Sequence, residues 1–117
     1  MIKEIEFLGK SLETIREFPD IARRETGQQL DRVQRGLDPV EWKPMPSIGM
    51  DVREIIVKQQ GQFRTIYVTK FNNVVYVLHA FSKKTQKTRQ HDLDVAKNAL
   101  KEIIRWEKSD DQNQFKI

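Results

Sequence analysis

The sequence predicts a small α+β protein, one antiparallel β-sheet with an N-terminal helical hairpin and a single C-terminal helix. Three observations carry that reading. Residues 52–81 hold three runs rich in β-branched and aromatic residues, VREIIVK, FRTIYVTKF and VVYVLHAF. They are separated by Gln60-Gly61 and Asn72-Asn73, and Gly and Asn tolerate the positive φ of tight hairpin turns. Residues 11–35 and 88–106 instead space their apolar residues three or four apart, the period of a helix. The third observation is length, since 117 residues are expected to build a single hydrophobic core. One domain over residues 1–108 and a flexible tail over 109–117 follow.

Residues 2–8, IKEIEFL, alternate loosely between apolar and charged and read as a first strand. Gly9, Lys10 and Ser11 break the pattern, and Ser11 is the expected N-cap of a helix with Leu12, Ile15 and Phe18 on one face. Pro19 ends that helix and suits the first turn of the next. The second helix runs to about Arg35, with Ile21, Ala22, Leu30 and Val33 inward and Gly36 as its C-terminal cap. Arg23, Arg24, Arg32 and Arg35 lie mostly outside its apolar stripe and are read as solubilising. Pro39, Pro44, Pro46 and Gly49 mark residues 37–50 as a loop. After the three strands comes the polar stretch SKKTQKT. Thr88 is then the expected cap of a last helix with the stripe Leu93, Ala96, Ala99, Leu100, Ile103 and Trp106.

Composition excludes several kinds of chemistry. There is no cysteine, hence no disulfide scaffold, thiol nucleophile or thiolate metal site. Two histidines, His79 and His91, are too few for a metal cluster, so no metal or cofactor is expected. The N-terminus lacks the apolar run of a signal peptide, and no stretch approaches the roughly 18 apolar residues of a membrane span. A cytoplasmic protein without membrane contact is expected. The net charge of +4 is unevenly spread. Residues 1–54 hold nine basic and eleven acidic residues, and residues 92–117 hold five and six. Between them, residues 55–91 carry Lys58, Arg64, Lys70, Lys83, Lys84, Lys87 and Arg89 with no acidic residue. Such a segment attracts polyanions, although a run of charge by itself is also compatible with a merely solvated face.

Turn geometry turns this charge into a surface. With Gln60 and Gly61 as a two-residue turn, Arg64 pairs across from Val57 and Arg53 from Val68. With Asn72 and Asn73 as the next turn, Arg64 also stands opposite Phe81, and Ile66 opposite His79. Opposed residues share a face, so Arg53, Arg64 and His79 are expected to point one way, with Lys83 continuing the alternation. Arg53 and Arg64 would lie roughly 13 Å apart, a spacing for two successive phosphates. Ile55, Val57, Val68, Val75 and Val77 are expected on that face too, which must therefore be partly covered. Plainer roles stay open for each group. Arg64 can pair with Glu54, His79 can be a hydrogen-bonded core histidine, and Lys83, Lys84 and Lys87 can be solvated.

These residues resemble the RelE/ParE toxin superfamily, in its HigB-like, phage-derived branch. The order of strand, helical hairpin, Pro-rich loop, three strands and helix is similar to that fold. The most discriminating match is Leu78, His79, Phe81, Lys83, Lys84 and Thr85 in the run HAFSKKTQKT, preceded by Arg53 and by Phe63, Arg64 and Tyr67. The chain departs from the pattern in having Arg89 where a proline is usual, no tyrosine near the last helix, and Met45, Pro46 and Gly49 around a displaced glycine.

The resemblance implies a type II toxin acting as a ribosome-dependent messenger RNA endoribonuclease. Such an enzyme drives a ribose 2′-OH onto the adjacent phosphate without a metal. Arg53, Arg64, Lys83 and Lys84 would stabilise phosphate charge, His79 would move the proton, and Lys83 could replace it if its pKa were lowered. Lys58, Lys70, Lys87 and Arg89 would contact RNA. The partners implied are mRNA on the ribosome and a helix-turn-helix antitoxin from the adjacent gene, in a toxin–antitoxin hetero-oligomer. Changing Arg64 to alanine should then abolish toxicity while the fold survives. Two other functions stay open: a ParE-like inhibitor of DNA gyrase, against which the run from His79 to Lys87 argues, and a non-catalytic protein that binds nucleic acid or a host factor.

Overall fold

A computed structural model describes residues 2–83 and 88–114, with side chains as far as Lys108. The elements in chain order are β1 (Glu4–Phe7), α1 (Ser11–Arg16), α2 (Asp20–Gln34), β2 (Trp42–Pro44), β3 (Arg53–Lys58), β4 (Gln62–Val68), β5 (Val74–Lys83) and α3 (Gln90–Gln114). The strands form one sheet in the order β1-β5-β4-β3-β2, antiparallel except where β1 runs parallel to β5. The α+β architecture expected from the sequence is the one observed.

Both faces of the sheet are covered, which is why β4 is buried along almost its whole length instead of alternating. Ile15, Phe18, Ala22, Leu30 and Val33 of the helical hairpin pack on Ile55, Val57, Phe63, Tyr67, Val75 and Val77. On the other face, Ala96, Ala99, Leu100 and Ile103 of α3 pack on Ile66, Val68, Leu78 and Phe81. Met45, Ile48 and Val52, from the loop before β3, join this second cluster.

Several local expectations change. The Pro-rich loop contains the short edge strand β2, whose Trp42, Lys43 and Pro44 pair with Ile55, Glu54 and Arg53. Ser11 is the first residue of α1 instead of its cap, and its buried hydroxyl has no hydrogen-bond partner among the described residues. Ile21 is 61% exposed, because the buried face of α2 runs through Ala22, Thr26, Leu30 and Val33. Trp106 is 48% exposed on α3. That helix continues to Gln114 through a polar stretch with no apolar stripe to announce it.

Gly36 ends α2 as expected. At φ 82° it lets its own N–H reach the Val33 carbonyl at 3.0 Å and the Leu37 N–H reach Arg32 at 2.9 Å. These two bonds are the Schellman pattern, which satisfies carbonyls left over at the helix end. A side chain in this left-handed conformation is strained, so Gly36→Ala should cost about 1–2 kcal/mol in chemical denaturation. An unchanged midpoint would show that the helix end adjusts freely.

Two details of the strands decide where the polar side chains go. The first hairpin loop contains three residues, Gln59 to Gly61, with Lys58 opposite Gln62. Gln60 takes φ 53°, and the Gln59 N–H bonds the Gly61 carbonyl. The second turn is Asn72-Asn73 at φ 54° and 56°, closed by the Val74 N–H to the Phe71 carbonyl. Between these turns Ile66 pairs with His79 but Tyr67 pairs with Val77, leaving Leu78 as an extra residue in a β-bulge.

Candidate functional site

The longer first loop shifts β3 by one residue relative to a two-residue turn. Arg64 stands opposite Ile56 and Arg53 opposite Tyr67. A one-residue shift moves every side chain of a strand to the other face. Arg53 therefore lies on the helical-hairpin face, away from Arg64, and the expected grouping of Arg53 with Arg64 and His79 is corrected. Ile55, Val57, Val75 and Val77 likewise line the hairpin face, and of the five apolar residues expected beside Arg64 only Val68 belongs to the α3 side. Glu54 takes the place assigned to Arg53.

Glu54 is 0% exposed and Arg64 4%. Arg64 Nη1 donates to Glu54 Oε1 at 2.5 Å, and Nη2 donates to Gln62 Oε1 at 2.5 Å. Lys43 Nζ lies 3.6 Å from the same Glu54 oxygen, and the Thr88 hydroxyl donates to Oε2 at 3.1 Å. A carboxylate without water needs partners of this kind, because an unpaired buried charge is costly. Thr88, expected to cap α3, gives its hydroxyl to Glu54 instead, and the helix starts at Gln90. Lys83 is 7% exposed on this same face. Burial, with Arg64 and Lys43 nearby, lowers its pKa below the ordinary lysine value against the opposing pull of Glu54. Beside the cluster a cavity of about 230 Å³ is lined by Glu41, Lys43, Ile56, Lys58, Gln62 and Arg64. Lys58 stands at it, paired with Glu41 at 3.1 Å.

The bulge at Leu78 places His79. Val75 and Val77 face the helical hairpin, and plain alternation would send His79 the same way. The extra residue turns it toward α3, onto the face of Arg64. Its Nε2 lies 2.7 Å from Oδ1 of the buried Asp92, and its ring stacks on Phe81 with centroids 5.3 Å apart. Arg89, itself exposed, reaches the other Asp92 oxygen at 3.4 Å. Phe81 stands directly opposite Arg64, so its ring lies between the histidine and the ionic cluster. Arg64, Lys83 and the imidazole share a face, as expected, without Arg53, and form two neighbouring groups.

On the opposite face, Arg53 stacks over the Trp42 ring at 3.9 Å and donates to Asp38 Oδ1 at 2.8 Å. Burial works against its charge, yet the bonds to Asp38 and Tyr67 prevail and leave its pKa raised. Tyr67 faces Arg53 and is thus no substitute for a tyrosine near α3. Lys70 lines a cavity with Arg53, remote from Arg64. Lys84 and Lys87 lie outside the described residues. Sequence reasoning missed Lys43, Gln62, Thr88 and Asp92 as members of the site. The pairing of Glu54 with Arg64 was legible as the plainer role for that arginine, and the hydrogen-bonded state of His79 as the plainer role for that histidine.

A model of the family described as phage derived protein Gp49-like (DUF891) matches residues 13–101. No curated protein matches the chain. The family match runs from α1 into α3 and takes in Lys43, Glu54, Arg64, His79, Lys83, Thr88 and Asp92. The chain belongs to the Gp49-like family of phage-derived proteins.

Proposed function

We propose that this chain is the toxin of a type II toxin–antitoxin pair of RelE/HigB-like character, and that it cuts messenger RNA on the ribosome. Membership of the Gp49-like family supports the toxin part of this reading. The observation that carries the nuclease part is the convergence of Arg64, Lys43 and Lys83 around one position of the α3 face, beside a cavity lined by Lys58.

In the reaction, the ribose 2′-oxygen attacks the neighbouring phosphorus, the bond from phosphorus to the 5′-oxygen breaks, and a cyclic phosphate and a 5′-hydroxyl result. Charge grows on the phosphate oxygens, and fixed cations in a poorly hydrated site stabilise it. Arg64 has little freedom to move, which suits that role. The 2′-OH proton goes to Lys83, whose lowered pKa enlarges the neutral fraction able to accept it. His79, held by Asp92 across Phe81, is the candidate for returning a proton to the 5′-oxygen. No metal enters this scheme. The antitoxin, a helix-turn-helix protein by the same resemblance, would cover the basic face.

Brief induction followed by primer extension on cellular mRNA tests the proposal. Discrete cuts inside translated codons are expected. Growth arrest with intact transcripts would remove the nuclease reading.

A further inference from the structure

We propose that Glu54 is the resident anion of the site: in the free protein its carboxylate occupies the position of an RNA phosphate, and phosphate binds Arg64 and Lys43 only by displacing it. The inference rests on reading Arg64 and Lys43 as phosphate ligands. Glu54 receives a guanidinium from β4, an ammonium from β2 and a hydroxyl from Thr88 ahead of α3. Guanidinium, ammonium and hydroxyl donors are the groups with which proteins hold phosphates, and a carboxylate presents two oxygens to them in similar geometry.

Nothing in a β-strand requires a charge at this position. Glu54 lies between Arg53 and the buried Ile55, and carries a carboxylate with no exposure at all. What its three partners share is affinity for oxyanions. The cavity at Lys43, Lys58, Gln62 and Arg64 provides room for an incoming phosphate next to the carboxylate. Among the described residues Arg64 also keeps one unused donor, its buried Nε, which has no hydrogen-bond partner there. Two anions a few ångströms apart repel strongly where one of them, Glu54, is shielded from water. The phosphate and Glu54 therefore compete for one set of cations. Contacts that force the exchange, such as those of RNA already held on a larger assembly, would switch the site on, whereas free RNA would be held weakly.

The test compares wild type, Glu54→Gln and Glu54→Asp for binding of inorganic phosphate and of a 2′-O-methyl RNA oligonucleotide, which lacks the attacking hydroxyl. Glutamine keeps the shape and hydrogen-bonding capacity of Glu54 but removes its charge, so both ligands should bind this variant at least about tenfold more tightly than wild type. Aspartate keeps the charge and should stay near wild type. Nitrogen NMR signals of the Arg64 side chain should move with phosphate in Glu54→Gln and stay fixed in wild type. Equal affinity of Glu54→Gln and wild type would overturn the proposal. Should Glu54→Gln fail to fold, wild type alone decides: movement of its Arg64 signals at millimolar phosphate, with Glu54 in place, overturns the proposal. The nuclease reading is tested separately by the transcript cuts. Tighter phosphate binding without cuts would keep the resident anion and remove the nuclease, and cuts without tighter binding would do the reverse.

Discussion

Replacing Arg64 with alanine is expected to lower folding stability by about 3–5 kcal/mol and to abolish growth arrest, because it takes the guanidinium from a carboxylate buried away from water and leaves it to Lys43 at 3.6 Å and the Thr88 hydroxyl. Stability of a domain this size is on the order of 5–15 kcal/mol, so a large share of the variant could be unfolded. Loss of toxicity from this substitution alone therefore carries no message about catalysis, and the sequence-based expectation of an intact fold is revised. The informative comparison is a cycle. Glu54→Leu with Arg64→Met replaces both charges by apolar groups of similar length, and such exchanges of buried pairs are often neutral or stabilising. Chemical denaturation should show the double variant close to wild type and more stable than Arg64→Ala, while growth arrest stays absent. A cost of less than about 1 kcal/mol for Arg64→Ala would mean that the pair behaves as a hydrated surface contact.

The same pair shows how far the chain could be read without coordinates. Long strands, the Asn72-Asn73 turn and the stripe on α3 were legible because each imposes a period on the residues. Opposition of Arg64 to Phe81 and of Ile66 to His79 followed from that turn, and both pairings are observed. Arg53 was misplaced by a single residue of loop length. Gln60 is not glycine, yet it adopts the left-handed conformation that a three-residue loop needs, and nothing in its neighbours marks this. The effect on the candidate site is total, since the slip exchanges a guanidinium for a carboxylate on the α3 face. Lys43 and Thr88 were illegible for another reason. Each reaches Glu54 from a segment that carries no periodic signal, one in a Pro-rich stretch and the other before the last helix. Side chains that meet through tertiary packing leave no spacing to detect.

Lys83 is where stability and activity should pull in opposite directions. Lys83→Met is expected to reduce mRNA cleavage by a factor of about 10² to 10⁴, the range for loss of a general acid or base. It is also expected to be more stable than wild type near neutral pH. In the folded protein the Lys83 pKa lies below its unfolded value, chiefly through burial and further through Arg64 and Lys43. The unfolded chain therefore holds the proton more tightly. Below the folded pKa both states are charged, and the native state bears the full cost of the buried ammonium. As pH rises through the folded pKa toward the unfolded value of about 10.4, that cost fades. The advantage of methionine should shrink across the same interval. On the proposed mechanism, cleavage by wild type should rise with pH through the lowered pKa, because a lysine acting as base accepts the 2′-OH proton in its neutral form. Denaturation of both proteins at several alkaline pH values, beside a pH–rate profile, measures the two trends together. If methionine proves less stable by the same amount at every pH, Lys83 contributes as a packed cation, and proton transfer has to be assigned to His79 with its Asp92 partner.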